Sequence, residues 1–210
     1  MHNKFQTQLL FNSAPRLALF LLFTFAFLFS SKAQTVTIGK QVWMSENLNV
    51  DKFRNGDPIP EAKTDEGWKK AGQEGKPAWC YYDNDPKNGV KYGKLYNWYA
   101  LNDPRGLAPQ GWHIPSDDEW TILTNFLGGT KVAGDMMKSK MGWNEGGGYR
   151  ANNGTFYNGG SFGYWWSSSG KDTYYAWSYV LDYSMDYTSG IVFRHSNSKA
   201  YGLSVRCLRD

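Results

Sequence analysis

The sequence closes with Gly202-Leu203-Ser204-Val205-Arg206-Cys207-Leu208-Arg209-Asp210, in which apolar and polar side chains alternate as they do in a β-strand. This strand carries Cys207, and the rest of the sequence holds one further cysteine, Cys80. A final strand with a cysteine can be tied back to an earlier part of the same domain. We therefore predict a compact module in which the two ends of the folded chain meet in one sheet.

Residues 1–33 have the features of a signal peptide that is removed on export. Lys4 and Arg16 supply positive charge, an apolar run covers residues 17–29, and residues 31–33 form a small-x-small cleavage site. The apolar run is shorter than the roughly 20 residues that span a bilayer, although an uncleaved anchor is the alternative. We expect a protein of the periplasm, the cell surface or the medium, with no membrane span after cleavage.

The remaining sequence, residues 34–210, is expected to form a single domain that is nearly neutral. The whole chain has a formal charge of +4, and the three basic residues of the signal peptide account for all but +1 of it. The basic residues are scattered, which argues against nucleic acid as a partner. All 10 tryptophans and all 14 tyrosines follow the signal peptide, a composition that excludes a disordered chain.

Local patterns predict the α+β class, with mixed and antiparallel sheets, two or so helices and long loops. The clearest helix follows Pro115, because Ser116 and Glu119 have the spacing of a capping box. The other expected elements are a hairpin at 35–44, one or two helical turns at 66–71, an undecided helix or strand at 95–101, a short helix within 131–141, a loop at 146–163, and strands near 164–168, 176–181, 190–194 and 203–208.

Four motifs in this sequence resemble the Fibrobacter succinogenes major paralogous domain family. They are Gly93-Lys94-Leu95-Tyr96-Asn97-Trp98-Tyr99-Ala100, Gly111-Trp112-His113-Ile114-Pro115-Ser116-Asp117-Asp118-Glu119-Trp120, Trp166-Ser167-Ser168 and Ser204-Val205-Arg206-Cys207. The resemblance covers about residues 36–210 and implies an exported or surface protein. Members of this family are mostly without an assigned function.

That family is more distantly similar to the C-type-lectin-like fold, which includes the formylglycine-generating enzymes. The resemblance implies a C-type-lectin-like fold for this chain, but a fold of this kind carries many different sites. Those enzymes use a pair of cysteines shortly before their last strand, whereas residues 163–202 contain none. Cys207 matches their terminal structural cysteine, so the resemblance argues against their oxidase chemistry.

We expect a disulfide between Cys80 and Cys207, because export places both in an oxidising compartment. Such a bridge would close most of the domain and stabilise it by roughly 4–5 kcal/mol in the chain-entropy model, less any strain. Two free buried thiols are the alternative.

The sequence predicts no metal and no other cofactor, with calcium left as an open alternative. His113 and His195 are the only histidines after the signal peptide, and no His/Cys spacing indicates zinc. Residues 83–89 offer oxygen ligands, but Pro86 and Lys87 break the pattern of an EF-hand, and a solvated turn is favoured. The sugar-binding signatures of calcium-dependent lectins are absent.

Aromatic residues near loops are the candidate ligand-binding surface, because exposed rings stack on sugars and form hot spots in protein interfaces. The alternative is that these rings pack a loop-rich core. The candidates are Trp143, Tyr149, Tyr157, Trp166 and Tyr175, with the contact loops at 144–158 and 168–175. We expect a non-catalytic module that binds a glycan or a protein. An enzyme with an unrecognised site and a purely structural envelope component are the alternatives.

Overall fold

The structure, a computed structural model, describes residues 34–143, 146–183 and 190–210. The predicted signal peptide lies outside these residues. The strands in chain order are β1 Thr35–Ile38, β2 Gln41–Met44, β3 Trp79–Cys80, β4 Leu95–Tyr96, β5 Trp112–His113, β6 Gly147–Arg150, β7 Phe156–Gly159, β8 Phe162–Gly170, β9 Tyr175–Asp182, β10 Val192–Ser198 and β11 Leu208–Arg209.

Five α-helices lie among the described residues, more than the two or so predicted. They are α1 Asp65–Gln73, α2 Lys87–Tyr92, α3 Trp98–Leu101, α4 Asp117–Phe126 and α5 Ala133–Lys140. Mixed helices and antiparallel sheets confirm the α+β class. None of the helices in the described ranges is long and apolar enough to cross a membrane.

The strands of the described residues form three sheets, and the first of these joins the two ends of the domain as predicted. Its order is β1-β2-β11-β5, with the predicted hairpin β1-β2 turning at Gly39, whose φ is 58°. A five-stranded sheet has the order β10-β9-β8-β6-β7, and β3 pairs with β4 in a two-stranded ladder. The five-stranded sheet carries the candidate site.

Helix α4 begins as the sequence predicts. The Ser116 side chain accepts a hydrogen bond from the Glu119 amide, and the Glu119 carboxylate accepts one from the Ser116 amide at 2.8 Å, which completes the capping box. The helix buries Trp120, which stacks on Tyr179 of β9 at 4.5 Å between ring centroids. The capped helix therefore covers one face of the five-stranded sheet.

Other predictions are corrected by the structure. The glycine-rich stretch 146–163 holds β6 and β7 rather than a loop, and the turn predicted at 83–89 leads directly into α2. The undecided stretch 95–101 contains both a strand, β4, and a helix, α3. Of the predicted strand at 203–208, only its end pairs regularly in β11, because residues 202–207 bond singly to several different strands.

The predicted disulfide is wrong in this structure, in which Cys80 and Cys207 are free and buried. The ladder β3-β4 separates them. Cys80 lies opposite Leu95 and packs in one core cluster with it, whereas the other pair of the ladder, Trp79 and Tyr96, faces the cluster that holds Cys207. Burial raises the pKa of both thiols to about 12, so neither has the thiolate character of a reactive cysteine.

The two thiols are expected to stay reduced even in an oxidising compartment, because opposite faces of one ladder keep them apart. A thiol-specific chromogenic reagent should then label almost nothing in the native protein and two thiols per chain in denaturant without reductant. The Cys80→Ser variant should give one. Finding no reactive thiol in denaturant would instead support the bridge.

Gly202 is a position at which the packing leaves no room for a side chain. A Cβ there would lie 2.8 Å from the Trp68 ring and 3.3 Å from the Arg150 Cβ. Gly202→Ala is expected to lower the free energy of unfolding by about 1–3 kcal/mol, as overpacked cores do. Urea denaturation measures this.

Gly170→Ala is the matched control, because a Cβ at Gly170 would meet its nearest neighbours at an ordinary 3.8 Å. Its free energy of unfolding should change by no more than about 0.5 kcal/mol. Equal effects of the two substitutions would contradict the close approach at Gly202.

Candidate functional site

The five-stranded sheet has one face packed against the tryptophan core and another that is partly open. Residues directly opposite each other on paired strands share a face, and every second residue along a strand returns to it. Trp165, Tyr179 and Leu181 face the core under α4. Tyr164 lies opposite Val180, which lies opposite Phe193, and these three cross the other face.

A row of stacked tyrosines, which we call the tyrosine face, marks the open part of this surface. Tyr149 lies between Tyr157, at 5.3 Å and 23° between rings, and Tyr201, at 5.5 Å and 13°. Tyr164 meets Tyr149 edge-on at 4.8 Å. Tyr149 and Tyr157 lie opposite each other on β6 and β7, and each ring of the stack limits the movement of the next.

A shallow cavity of about 360 Å³ adjoins the tyrosine face. Its lining consists of Tyr149, Phe162, Tyr164, Val180, Phe193, His195 and Asn197. The volume lies in the range of small-molecule sites, and apolar walls with a few polar groups are typical of them. The polar groups stand at one edge, where His195 is exposed and Asn197 donates a hydrogen bond to Ser178 Oγ at 2.7 Å.

The hydroxyls of Tyr149 and Tyr164 stay neutral and can donate and accept hydrogen bonds. Burial raises the pKa of Tyr149, and burial also raises that of Tyr164 despite a 2.7 Å hydrogen bond from the Asn158 amide to its hydroxyl. These groups therefore do not serve as bases at neutral pH. What the surface can do chemically is stack on a ligand and bond to its polar groups.

The structure places the five predicted surface aromatics in different environments. Tyr149 and Tyr157 belong to the tyrosine face, and Tyr157 is 40% exposed. Trp143 and Trp166 are 1% and 0% exposed, so neither can reach a ligand. Tyr175 is 44% exposed, but it lies opposite Ser198 on the other side of the sheet from Val180.

Trp166 is buried because a second layer covers that end of β8. Its indole N–H donates to the Tyr96 carbonyl at 2.8 Å, and its amide donates to the Ser204 carbonyl. The adjacent Trp165 is also buried, on the opposite face, where its indole donates to Asn47 Oδ1. The sequence predicts a core position for only one of the two, because adjacent residues of a strand point to opposite faces.

The two predicted contact loops come together at a separate groove of about 360 Å³. Asn152 and Asn153 from the first loop and Tyr174 from the second line it, next to Tyr99 and Lys69.

The tyrosine face itself depends on two residues that were not predicted from the sequence, namely Tyr164 and Tyr201. The alternation of Phe162 with Tyr164, and of Phe193 with His195, was the available signal.

No group of three or more His, Cys, Asp or Glu side chains in the described residues is arranged to hold a metal ion. In the stretch considered for calcium, the side-chain oxygens of two residues have partners within the protein. Asp85 accepts from the Lys87 amide and Asn84 from Arg150. These contacts form the start of α2 and a support for Arg150.

Residues 36–209 match the model of the Fibrobacter succinogenes major domain, so the chain belongs to this family. The match covers nearly all of the described residues and confirms the resemblance carried by the four motifs. No curated protein matches the sequence.

His113 is not part of the tyrosine face, and it lies between two carboxylates. Its Nδ1 is 2.8 Å from Asp210 Oδ1 and its Nε2 is 2.9 Å from Glu119 Oε1. Partial burial lowers the pKa of His113, but the hydrogen bonds to Asp210 and Glu119 outweigh it, so the pKa is raised. The charged imidazole thus ties the end of the sequence to the start of α4.

This arrangement predicts a pH-dependent part of the stability. A raised folded-state pKa stabilises the protein fully below the ordinary histidine value of 6.5, and the contribution is lost as the pH rises through the raised value. His113→Gln should therefore lower the melting temperature by about 1–3 °C near about pH 6, allowing for solvent screening of a half-exposed pair. The deficit should shrink towards about pH 9.

Scanning calorimetry across this pH range measures the difference between the proteins. His195→Gln is the control, because His195 is exposed and the ion pairs of histidine among the described residues are those of His113. It should not reproduce the deficit of His113→Gln. A deficit of His113→Gln that does not change with pH would contradict the charged imidazole.

Proposed function

We propose that this protein is an exported, non-catalytic module that binds a glycan on the tyrosine face. The observation that carries the proposal is the stack of Tyr157, Tyr149 and Tyr201 beside an open cavity. Flat aromatic rings complement the C–H faces of sugar rings. The hydroxyl, amide and imidazole groups around them complement the sugar hydroxyls.

A glycan suits this surface better than a protein partner. The cavity is small and concave, and its walls are rings with polar groups at the edge. A protein interface of standard size covers about 800 Å² per partner and is built around a fully desolvated centre. Here the rings are already partly buried and held by their neighbours before a ligand binds. Binding therefore loses little side-chain conformational entropy.

The proposal extends to the fold and to the compartment. The pairing of first and last strands in one sheet and the long connections between elements support a variant of the C-type-lectin-like fold. The signal-peptide features of residues 1–33 support export. The neutral tyrosines and buried thiols support a binding role without catalysis.

A glycan array followed by calorimetric titration of the best ligand tests the function. Tyr157→Ala should weaken binding by about 10-fold, equivalent to about 1.4 kcal/mol, because one stacking ring is lost. The matched control is Tyr175→Ala, which removes a ring of similar exposure from the other side of the sheet and should leave the affinity unchanged.

The melting temperatures of both variants show whether the fold is kept. An array without any bound glycan would contradict the proposal. So would an equal loss of affinity in the two variants. Binding of a protein from the same compartment, lost in Tyr157→Ala, would keep the site and change the ligand class.

A further inference from the structure

Another cavity, of about 600 Å³, shares no lining residue with the cavity at the tyrosine face. A buried arginine side chain lines it. Among its lining residues are Ser45, Glu46, Asn47, Asn49, Lys91 and Arg206. Arg206 is 3% exposed. A charged side chain is almost never buried to this extent without a compensating charge.

Arg206 finds only neutral acceptors within the described part of the chain. Its Nε and Nη2 donate to Asn47 Oδ1 at 3.1 and 2.9 Å, and its Nη1 donates to the Met141 carbonyl at 3.4 Å. The guanidinium packs over the Trp143 ring at 4.3 Å. Three hydrogen bonds leave two of its five N–H groups without an acceptor among these residues.

The Asn47 oxygen cannot supply the missing negative charge. It is a neutral amide oxygen, and it already accepts a third hydrogen bond, from the Trp165 indole at 2.8 Å. Burial lowers the pKa of Arg206 to about 9, so the guanidinium is still charged at neutral pH. Arg150, by comparison, is equally buried but pairs with the Asp65 carboxylate at 2.9 Å.

Other polar groups of the cavity suit an anionic ligand that carries a single charge. The Ser45 hydroxyl is buried and has no hydrogen-bond partner among the described residues. Asn49 and Lys91 line the cavity as well. The exposed Glu46 adds one negative charge, which attracts Arg206 electrostatically without forming an ion pair with it. The Glu46 carboxylate repels a divalent oxyanion more strongly than a monovalent one, because the repulsion grows with the charge of the ligand.

We propose that this cavity binds a small carboxylate-bearing molecule, up to the size of a monosaccharide acid, whose carboxylate pairs with Arg206. Guanidinium and carboxylate match in shape and charge, and their hydrogen bonds are among the strongest in proteins. The cavity volume lies within the range of small-molecule sites. This site is independent of the tyrosine face.

Calorimetric titration of the purified protein with sodium glucuronate tests the proposal, with glucose as the neutral control of matched shape. We expect glucuronate to bind and glucose not to bind at this cavity. Acetate should bind more weakly than glucuronate, because it fills less of the cavity. Sulfate that binds more tightly than either carboxylate would overturn the assignment of a monovalent ligand.

Two variants locate the binding. Arg206→Gln removes the charge but keeps a donor for Asn47, and it should abolish glucuronate binding. Its stability should fall little, because loss of an unpaired buried charge removes a desolvation cost. Glu46→Gln, at an exposed position, should strengthen binding by about 3-fold, because it removes the repulsive carboxylate.

Glu46→Gln decides the question even if Arg206→Gln does not fold. Unchanged or weaker glucuronate binding in Glu46→Gln would overturn the proposal, as would the absence of binding to the unaltered protein. Tyr157→Ala should bind glucuronate normally. The carboxylate site and the glycan site therefore succeed or fail separately.

Discussion

The buried segment 202–208 is the constraint on which the rest of the structure depends. All seven of its residues are buried, so each of its peptide groups needs a hydrogen-bond partner inside the protein. The partners come from separate parts of the chain, namely Trp43, Met44, Leu48, Tyr96, Arg150, Tyr164, Trp166 and His113. One extended segment thereby joins the four-stranded sheet β1-β2-β11-β5, the β3-β4 ladder and the five-stranded sheet.

Among the described residues, three buried cationic side chains differ in how the cost of burying their charge is offset. Arg150 has an ion pair with Asp65 and lies over Phe156 at 4.6 Å. Lys94 lies 4.4 Å from the Trp79 ring and donates to the Asn49 side-chain oxygen. Arg206 lies over the Trp143 ring, and its hydrogen-bond acceptors among the described residues are neutral oxygens. A chain rich in aromatic residues can keep cations inside because ring faces attract them.

Features set by neighbouring residues were predictable from the sequence, and features set by distant pairing were not. The capping box at Ser116 and the hairpin at Gly39 need only local spacing. The strands around Gly148 looked like a loop, because glycine is required there: its φ is 62°, and a Cβ would lie 2.4 Å from the Tyr157 carbonyl oxygen. Likewise, the burial of both Trp165 and Trp166 depends on layers that come from elsewhere in the chain.

The same reasoning explains why the tyrosine face was found only in part and why it is rigid. Tyr149 and Tyr157 stand opposite each other on β6 and β7, but Tyr201 reaches them from just before the buried segment. The next residue, Gly202, exchanges hydrogen bonds with Arg150, and the Ser204 amide donates to the Tyr164 carbonyl. The segment that closes the fold thus fixes three of the four tyrosines through their own or adjacent peptide groups. A surface held in this way would meet the proposed glycan with little loss of conformational entropy, which favours binding in so shallow a cavity.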